Sequence, residues 1–179
     1  VKKLADDEFN NIASKLPFNK ILVAKDYHIT IILYLIKDVE GICFKGGTAL
    51  QKILLHYARL SEDVDFTLTR DIKEIKDEII EILDKSRLFG RITKDKDVEG
   101  FTRLVIPYKG FSNEEETVFI DLNQRAKLLM KPERHEIRHF YEESIPGFSI
   151  KTLALEEMVA EKVMAAIGRN NPRDVYDVY

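Results

Sequence analysis

Lys45-Gly46-Gly47-Thr48-Ala49-Leu50, followed after a short apolar run by Arg59-Leu60-Ser61-Glu62-Asp63-Val64-Asp65-Phe66, is the stretch on which the fold turns. From Asp63 to Leu68 the residues alternate, with Val64, Phe66 and Leu68 on one side and Asp63, Asp65 and Thr67 on the other. That period of two predicts a strand, and in a strand side chains at i and i+2 share a face. Asp63 and Asp65 would then stand side by side. Two carboxylates that close repel each other unless a cation sits between them. Upstream, Gly46-Gly47 predicts a tight turn opening a helix. Glycine accepts φ > 0, Thr48 can donate a hydroxyl or cap the helix, and helix-start N–H groups hold phosphate. A phosphate cradle beside a carboxylate pair is what metal-assisted nucleotidyl transfer needs. Taken alone, the pair also reads as a solvated strand face and the glycines as a plain turn.

The rest of the chain is read outward from that stretch. The 179 residues suffice for one substantial domain with a core of its own. Charged residues make up 33% with both signs interspersed, and the net charge of −3 argues against coating nucleic acid by bulk electrostatics. A local basic patch remains compatible with that charge. The single cysteine, Cys43, allows no internal disulfide and points to a reducing, cytoplasmic setting. No apolar run reaches membrane-spanning length and no secretory signal is visible, so no membrane partner is expected. Because the chain opens on Val1 and stops at Tyr179 inside an apparent helix, it reads as a fragment.

Helices are expected over Asp6–Leu16, Lys20–Val39, Thr48–Tyr57, Ile72–Leu83 and Leu155–Ile167, from apolar spacing and from stop signals at Pro17 and Gly41. Another begins at Arg173 after Pro172. Strands are expected over Ile42–Phe44, Asp63–Leu68, Leu88–Thr93, Phe101–Tyr108 and Thr117–Leu122. Lys131–Glu143 is highly charged and fits neither period.

The two quoted blocks resemble the nucleotidyltransferase toxins of the AbiEii/AbiGii family, within the DNA polymerase β-like nucleotidyltransferase superfamily. Leu155-Glu156-Glu157-Met158-Val159-Ala160-Glu161-Lys162-Val163 and Pro172-Arg173-Asp174-Val175-Tyr176-Asp177-Val178-Tyr179 are similar to that family's Glu-Lys and Arg-Asp-x-x-Asp segments. The resemblance covers Lys45 to Tyr179 in order. It implies that Asp63 and Asp65 hold divalent metal and that Lys162 and Asp174 belong to the active site. It also implies that Lys45, Gly46, Gly47, Thr48, Ser61 and Lys162 handle the nucleotide. The superfamily usually has a third carboxylate on a neighbouring strand. Asp121 is the candidate, since it interrupts the apolar run Val118-Phe119-Ile120, where a carboxylate is costly unless paired or metal-bound. The bland alternatives are an Asp facing solvent at a strand end, and for Lys162 a surface salt bridge to Glu157 or Glu161.

One motif competes. His135-Glu136-Ile137-Arg138-His139 fits the His-Glu-x-x-His pattern of zinc peptidases, with Glu157 or Glu161 downstream. That chemistry needs a helix with both histidines on one face. Pro132 upstream, Pro146-Gly147 downstream and the missing apolar stripe argue against one.

The expected fold is α+β: a mixed β-sheet with flanking helices, of the polymerase-β-like nucleotidyltransferase type, with a helical C-terminal part. Residues 1–41 would be N-terminal helices packing on the core, 42–150 the nucleotidyltransferase core, and 151–179 a truncated C-terminal helical segment. The expected reaction moves an NMP from an NTP to an acceptor hydroxyl and releases pyrophosphate. Two Mg²⁺ ions would be held by Asp63, Asp65 and Asp121, with Lys162 offsetting the charge of the triphosphate. The resemblance further implies a toxin with a cognate antitoxin and an RNA acceptor, most plausibly tRNA. Lys45, Lys52, Arg59, Arg125, Lys127 and Lys131 are candidate cations for its backbone. The reading from a different class is a catalytically idle nucleotide- or partner-binding domain of the same fold.

Overall fold

A computed structural model describes residues 1–169 and Val175. Seven strands form one mixed sheet in the order β3-β4-β5-β2-β1-β7-β6. They are β1 (Ile42–Lys45), β2 (Asp63–Leu68), β3 (Thr93–Val98), β4 (Phe101–Lys109), β5 (Glu115–Asn123), β6 (Glu133–Glu136) and β7 (Ser149–Thr152). The helices are α1 (Asp6–Lys15), α2 (Lys20–Ile36), α3 (Gly46–Ile53), α4 (Ile72–Ser86) and α5 (Leu155–Arg169). The mixed sheet with flanking helices is the α+β arrangement expected from the sequence.

Each long helix has a local cause. The Asn19 side chain accepts from the Ile21 N–H at 2.8 Å and starts α2. That helix buries residues almost all round, Ile29, Ile32 and Leu33 among them, because it lies under α4 and against β5. Burying each such side chain contributes about 1.5–3 kcal/mol. Asp71 caps α4 by accepting from Lys73 N–H at 2.9 Å and Glu74 N–H at 3.3 Å. Ile75, Ile79 and Leu83 form its buried stripe, and Arg87 closes it in the left-handed region. In β4 and β5, Leu104, Ile106, Val118, Ile120 and Leu122 point to this core.

The central strands decide where polar groups meet. Strand β1 runs antiparallel to β2 with Lys45 opposite Asp65. Strand β2 runs parallel to β5 with Asp65 opposite Asp121. Strand β4 then brings Arg103 opposite Asp121.

Four expectations need correction. The strand placed at Leu88–Thr93 lies at Thr93–Val98, where all six residues are exposed and backbone pairing with β4, helped by the Thr102 hydroxyl donating to Asp97 at 2.7 Å, holds the edge. Helix α3 starts at Gly46 and stops at Ile53, before His56 and Tyr57, which take positive φ. Ser149–Thr152, unread in the sequence, is β7 and pairs with β1 in parallel. The charged segment that fitted neither period contains β6, antiparallel to β7.

Candidate active site

A cleft of about 1060 Å³ opens between the start of α3, the polar face of β2 and helix α5. Asp63, Asp65 and Asp121 line it together with Lys45, Gly46, Gly47, Ser61 and Lys162. The structure therefore gathers these separated sequence positions around one cleft. Asp174 lies outside the described residues.

Gly46 has φ +78°, and a Cβ built on it would come within 2.2 Å of Asp65 Oδ2. The glycine is needed twice, for the backbone angle and for the space the carboxylate fills. The Thr48 hydroxyl is spoken for. It is buried and donates to the Asp63 carbonyl, which ties the first turn of α3 to the start of β2. Any part Thr48 plays toward a nucleotide therefore falls to its backbone.

Burial raises the Asp65 carboxyl to about 6, with Asp121 and Asp63 adding to the shift and Lys45 opposing it. Asp63 is also raised, first by burial, then against the pull of Arg103 by the negative charge of Asp121. Asp121 differs. Arg103 Nε donates to its Oδ1 and a terminal guanidinium nitrogen to its Oδ2, each at 2.7 Å. A carboxylate has about four lone-pair positions, so this fork leaves half of them for another partner. Arg103 itself is held firmly protonated by that bond.

The sequence reading missed Arg103. It named Glu157 and Glu161 only as partners for Lys162 or for zinc, and the structure gives them others. Glu161 takes Lys45 Nζ at 2.8 and 3.0 Å, and buried Glu157 accepts from the Leu129 and Met130 N–H groups at 2.9 and 3.1 Å. These contacts fix α5 and the 124–132 segment over the cleft. Alternation within β4 put Arg103 on the polar face, but only the strand register shows what it faces.

Among the described residues, no group of three or more His, Cys, Asp or Glu is arranged to hold a metal ion. The donor set still suits a hard divalent cation. Asp63 and Asp65 offer paired carboxylate oxygens, burial and the charge of Asp121 favour their protonated forms when no cation is there, and a phosphate at the α3 start would complete the shell. Mg²⁺ is commonly bound this way, by one or two carboxylates plus substrate phosphates.

The peptidase motif does not survive. His135 lies on β6, not on a helix, with Nδ1 2.8 Å from the Thr152 hydroxyl. His139 lies beyond the strand and accepts from the Tyr141 N–H at 3.2 Å. Lys52 also leaves the set of candidate RNA contacts. It is fully buried and donates to Asp26 at 2.7 Å, to Thr30 at 3.0 Å and to Tyr57 at 2.9 Å.

The family described as nucleotidyl transferase AbiEii toxin, type IV TA system, matches residues 35–179. JHP933 from Helicobacter pylori shares the fold at a TM-score of 0.67 and 21% identity, over 90% of this chain and 66% of that one. MenT4, a nucleotidyltransferase toxin from Mycobacterium tuberculosis, does so at a TM-score of 0.73 and 23% identity, over 98% of this chain and 63% of that one. The chain thus spans just under two thirds of the length of either. No curated protein sequence matches it.

Proposed function

The chain belongs to the AbiEii nucleotidyl transferase toxin family, and we propose that it moves an NMP from an NTP to an acceptor hydroxyl. The observation that carries this is the Asp63–Asp65 pair seated against the Gly46 turn, inside a cleft large enough for a nucleotide. In the reaction the acceptor oxygen bonds the α-phosphorus in line, the bond from α-phosphorus to the bridging oxygen breaks, and pyrophosphate leaves with that oxygen.

In this reading, the N–H groups opening α3 at Gly46, Gly47 and Thr48 orient the triphosphate, and Ser61 lines its approach. Lys45 and Lys162 offset its negative charge. The carboxylates Asp63 and Asp65, with Asp121 beside Asp65 in the sheet, would hold Mg²⁺. When bound, the metal supplies Lewis-acid stabilisation of the phosphoryl oxygens. Asp121, with half of its lone-pair positions left by the Arg103 fork, would help take the acceptor's proton. Asp174 completes the set by resemblance. In the same reading residues 1–41 pack on a transferase core of 42–150, and the C-terminal segment 151–179 contributes α5 to the cleft.

The acceptor is RNA, tRNA in the first instance. Exposed Arg125, Lys127 and Lys131 lie on the segment whose Leu129 and Met130 line the cleft, which supports an anionic strand arriving there. A cognate antitoxin is supported by the family description, and a cytoplasmic setting by the single cysteine. No helix among the described residues is long and apolar enough to cross a membrane. The test is transfer from α-labelled NTP into total RNA with Mg²⁺. Label in RNA supports the reading, label confined to protein overturns the acceptor, and no pyrophosphate release favours an idle binding domain.

A further inference from the structure

The other face of the sheet carries a second cleft. Side chains alternate along β4, so Arg103 faces the carboxylates while Tyr108, five residues on, faces α2. The two positions are roughly 17 Å apart along the strand. Around Tyr108 lies a cavity of about 670 Å³, bounded by α2, residues 87–91 and the β4–β5 turn. That volume is within the range of small-molecule sites.

Its wall is aromatic and its rim is cationic. The His28 ring stacks on Tyr108 with centroids 3.9 Å apart and meets Phe89 edge-on at 6.4 Å. Phe111 continues the wall, braced from behind by Phe9 at 3.7 Å. His28 is held neutral, its pKa lowered to about 4 mainly by burial. Its Nδ1 donates to the Ala24 carbonyl at 2.7 Å, which leaves Nε2 as a lone-pair acceptor. The Tyr108 hydroxyl is 97% buried with its residue (3% exposed) and has no hydrogen-bond partner. A buried polar group left so is costly, and a ligand atom that accepted from it would remove the cost. At the mouth, Lys3, Arg87, Arg91 and Lys109 are exposed and form no ion pair among the described residues. Asp6 and Glu115 line it as well, and Glu114 of the β4–β5 turn and Glu116 of β5 lie close enough to act on Tyr108.

We propose that this second cleft binds a nucleotide unit, with the base against the His28–Tyr108–Phe89 wall and the phosphate on the arginine and lysine rim. An acyl chain would leave His28 Nε2 and the Tyr108 hydroxyl unsatisfied, and a simple anion would not use the aromatic wall. A base supplies a flat face, an N–H for Nε2 and an acceptor for the phenol. The unit is either a free nucleotide or an unstacked base of an RNA strand. The inference stands whether or not the first cleft transfers NMP.

The test uses the whole chain in EDTA, so that the carboxylate site has no metal. Calorimetry follows AMP, ribose 5-phosphate and a single-stranded RNA pentamer, on the wild type, on the exposed-rim variant Arg87→Glu/Arg91→Glu, and on Asp63→Asn. AMP or the pentamer should bind, ribose 5-phosphate at least tenfold more weakly than AMP. The rim variant should lose at least tenfold, and Asp63→Asn should bind as wild type. Tighter AMP assigns a free nucleotide, and a tighter pentamer assigns an RNA strand. The proposal is overturned by no binding of either, by ribose 5-phosphate equal to AMP, by an unchanged rim variant, or by binding lost in Asp63→Asn.

Discussion

Gly46 and Asp65 share one small volume, and that contact sets what either position tolerates. Gly46→Ala meets both a positive φ and a carboxylate oxygen 2.2 Å from the new methyl. We expect transfer to fall at least 100-fold, read as kcat/KM, with a stability loss of about 1–3 kcal/mol in chemical unfolding. Asp65 carries a pH signature as well. Its folded pKa of about 6 lies above the ordinary aspartate value, so the folded chain holds the proton more tightly than the unfolded chain does. Through this group, the metal-free protein gains stability as pH falls from 7 through 6 toward 4, and loses it as pH rises. Asp65→Asn should therefore raise stability at pH 7 by on the order of 1–3 kcal/mol and flatten the slope between pH 7 and 5. Parallel melting curves of the two proteins at both pH values measure this. Equal slopes would mean that Asp65 is not desolvated in the way described.

At the scale of elements, α3 is held from behind by a buried ion pair. Lys52 reaches Asp26 of α2, and Tyr141 donates to the second oxygen of that carboxylate at 3.0 Å. Lys52→Met leaves Asp26 buried without its partner, so a loss of about 3–5 kcal/mol in urea unfolding is expected. Removing both charges with Asp26→Leu/Lys52→Met should cost less than the single change. The same lysine shows where the sequence was illegible. In Leu50-Gln51-Lys52-Ile53 it looks like a surface cation, because its partner is 26 positions away. The helix α4 and the strands β2, β4 and β5 were legible, since each buries one face and writes that face as a period, while α2 was legible as a long apolar run between its Asn19 cap and Gly41. The segment Thr93–Val98 buries nothing and writes no period, and β6 and β7 are only four residues each. The carboxylate pair and its glycine turn could be read locally, whereas Arg103 beside Asp121 depends on register between strands. For the motif that β6 removes, His135→Ala and His139→Ala should retain transfer, measured by label incorporation, and the purified chain should carry no stoichiometric zinc.

Over the whole molecule the net charge is −3, so attraction for RNA has to be local, and for the acceptor the basic segment beside the first cleft supplies it. Labelling of RNA should then weaken steeply between low and physiological salt, and Arg125→Ala/Lys127→Ala/Lys131→Ala should reduce both the labelling and its salt dependence. Salt-insensitive labelling would place the acceptor elsewhere. The two clefts lie on opposite faces of one sheet, and Asp63, Asp65 and Asp121 line the first. The most direct check follows α-labelled NTP, Mg²⁺ and total RNA with the wild type, Asp63→Asn and Asp65→Asn, each verified as folded by its melting curve. Wild type should release pyrophosphate in step with RNA labelling, and both variants should lose at least 1000-fold. Wild-type rates in a folded Asp63→Asn or Asp65→Asn protein would contradict a transferase built on that pair.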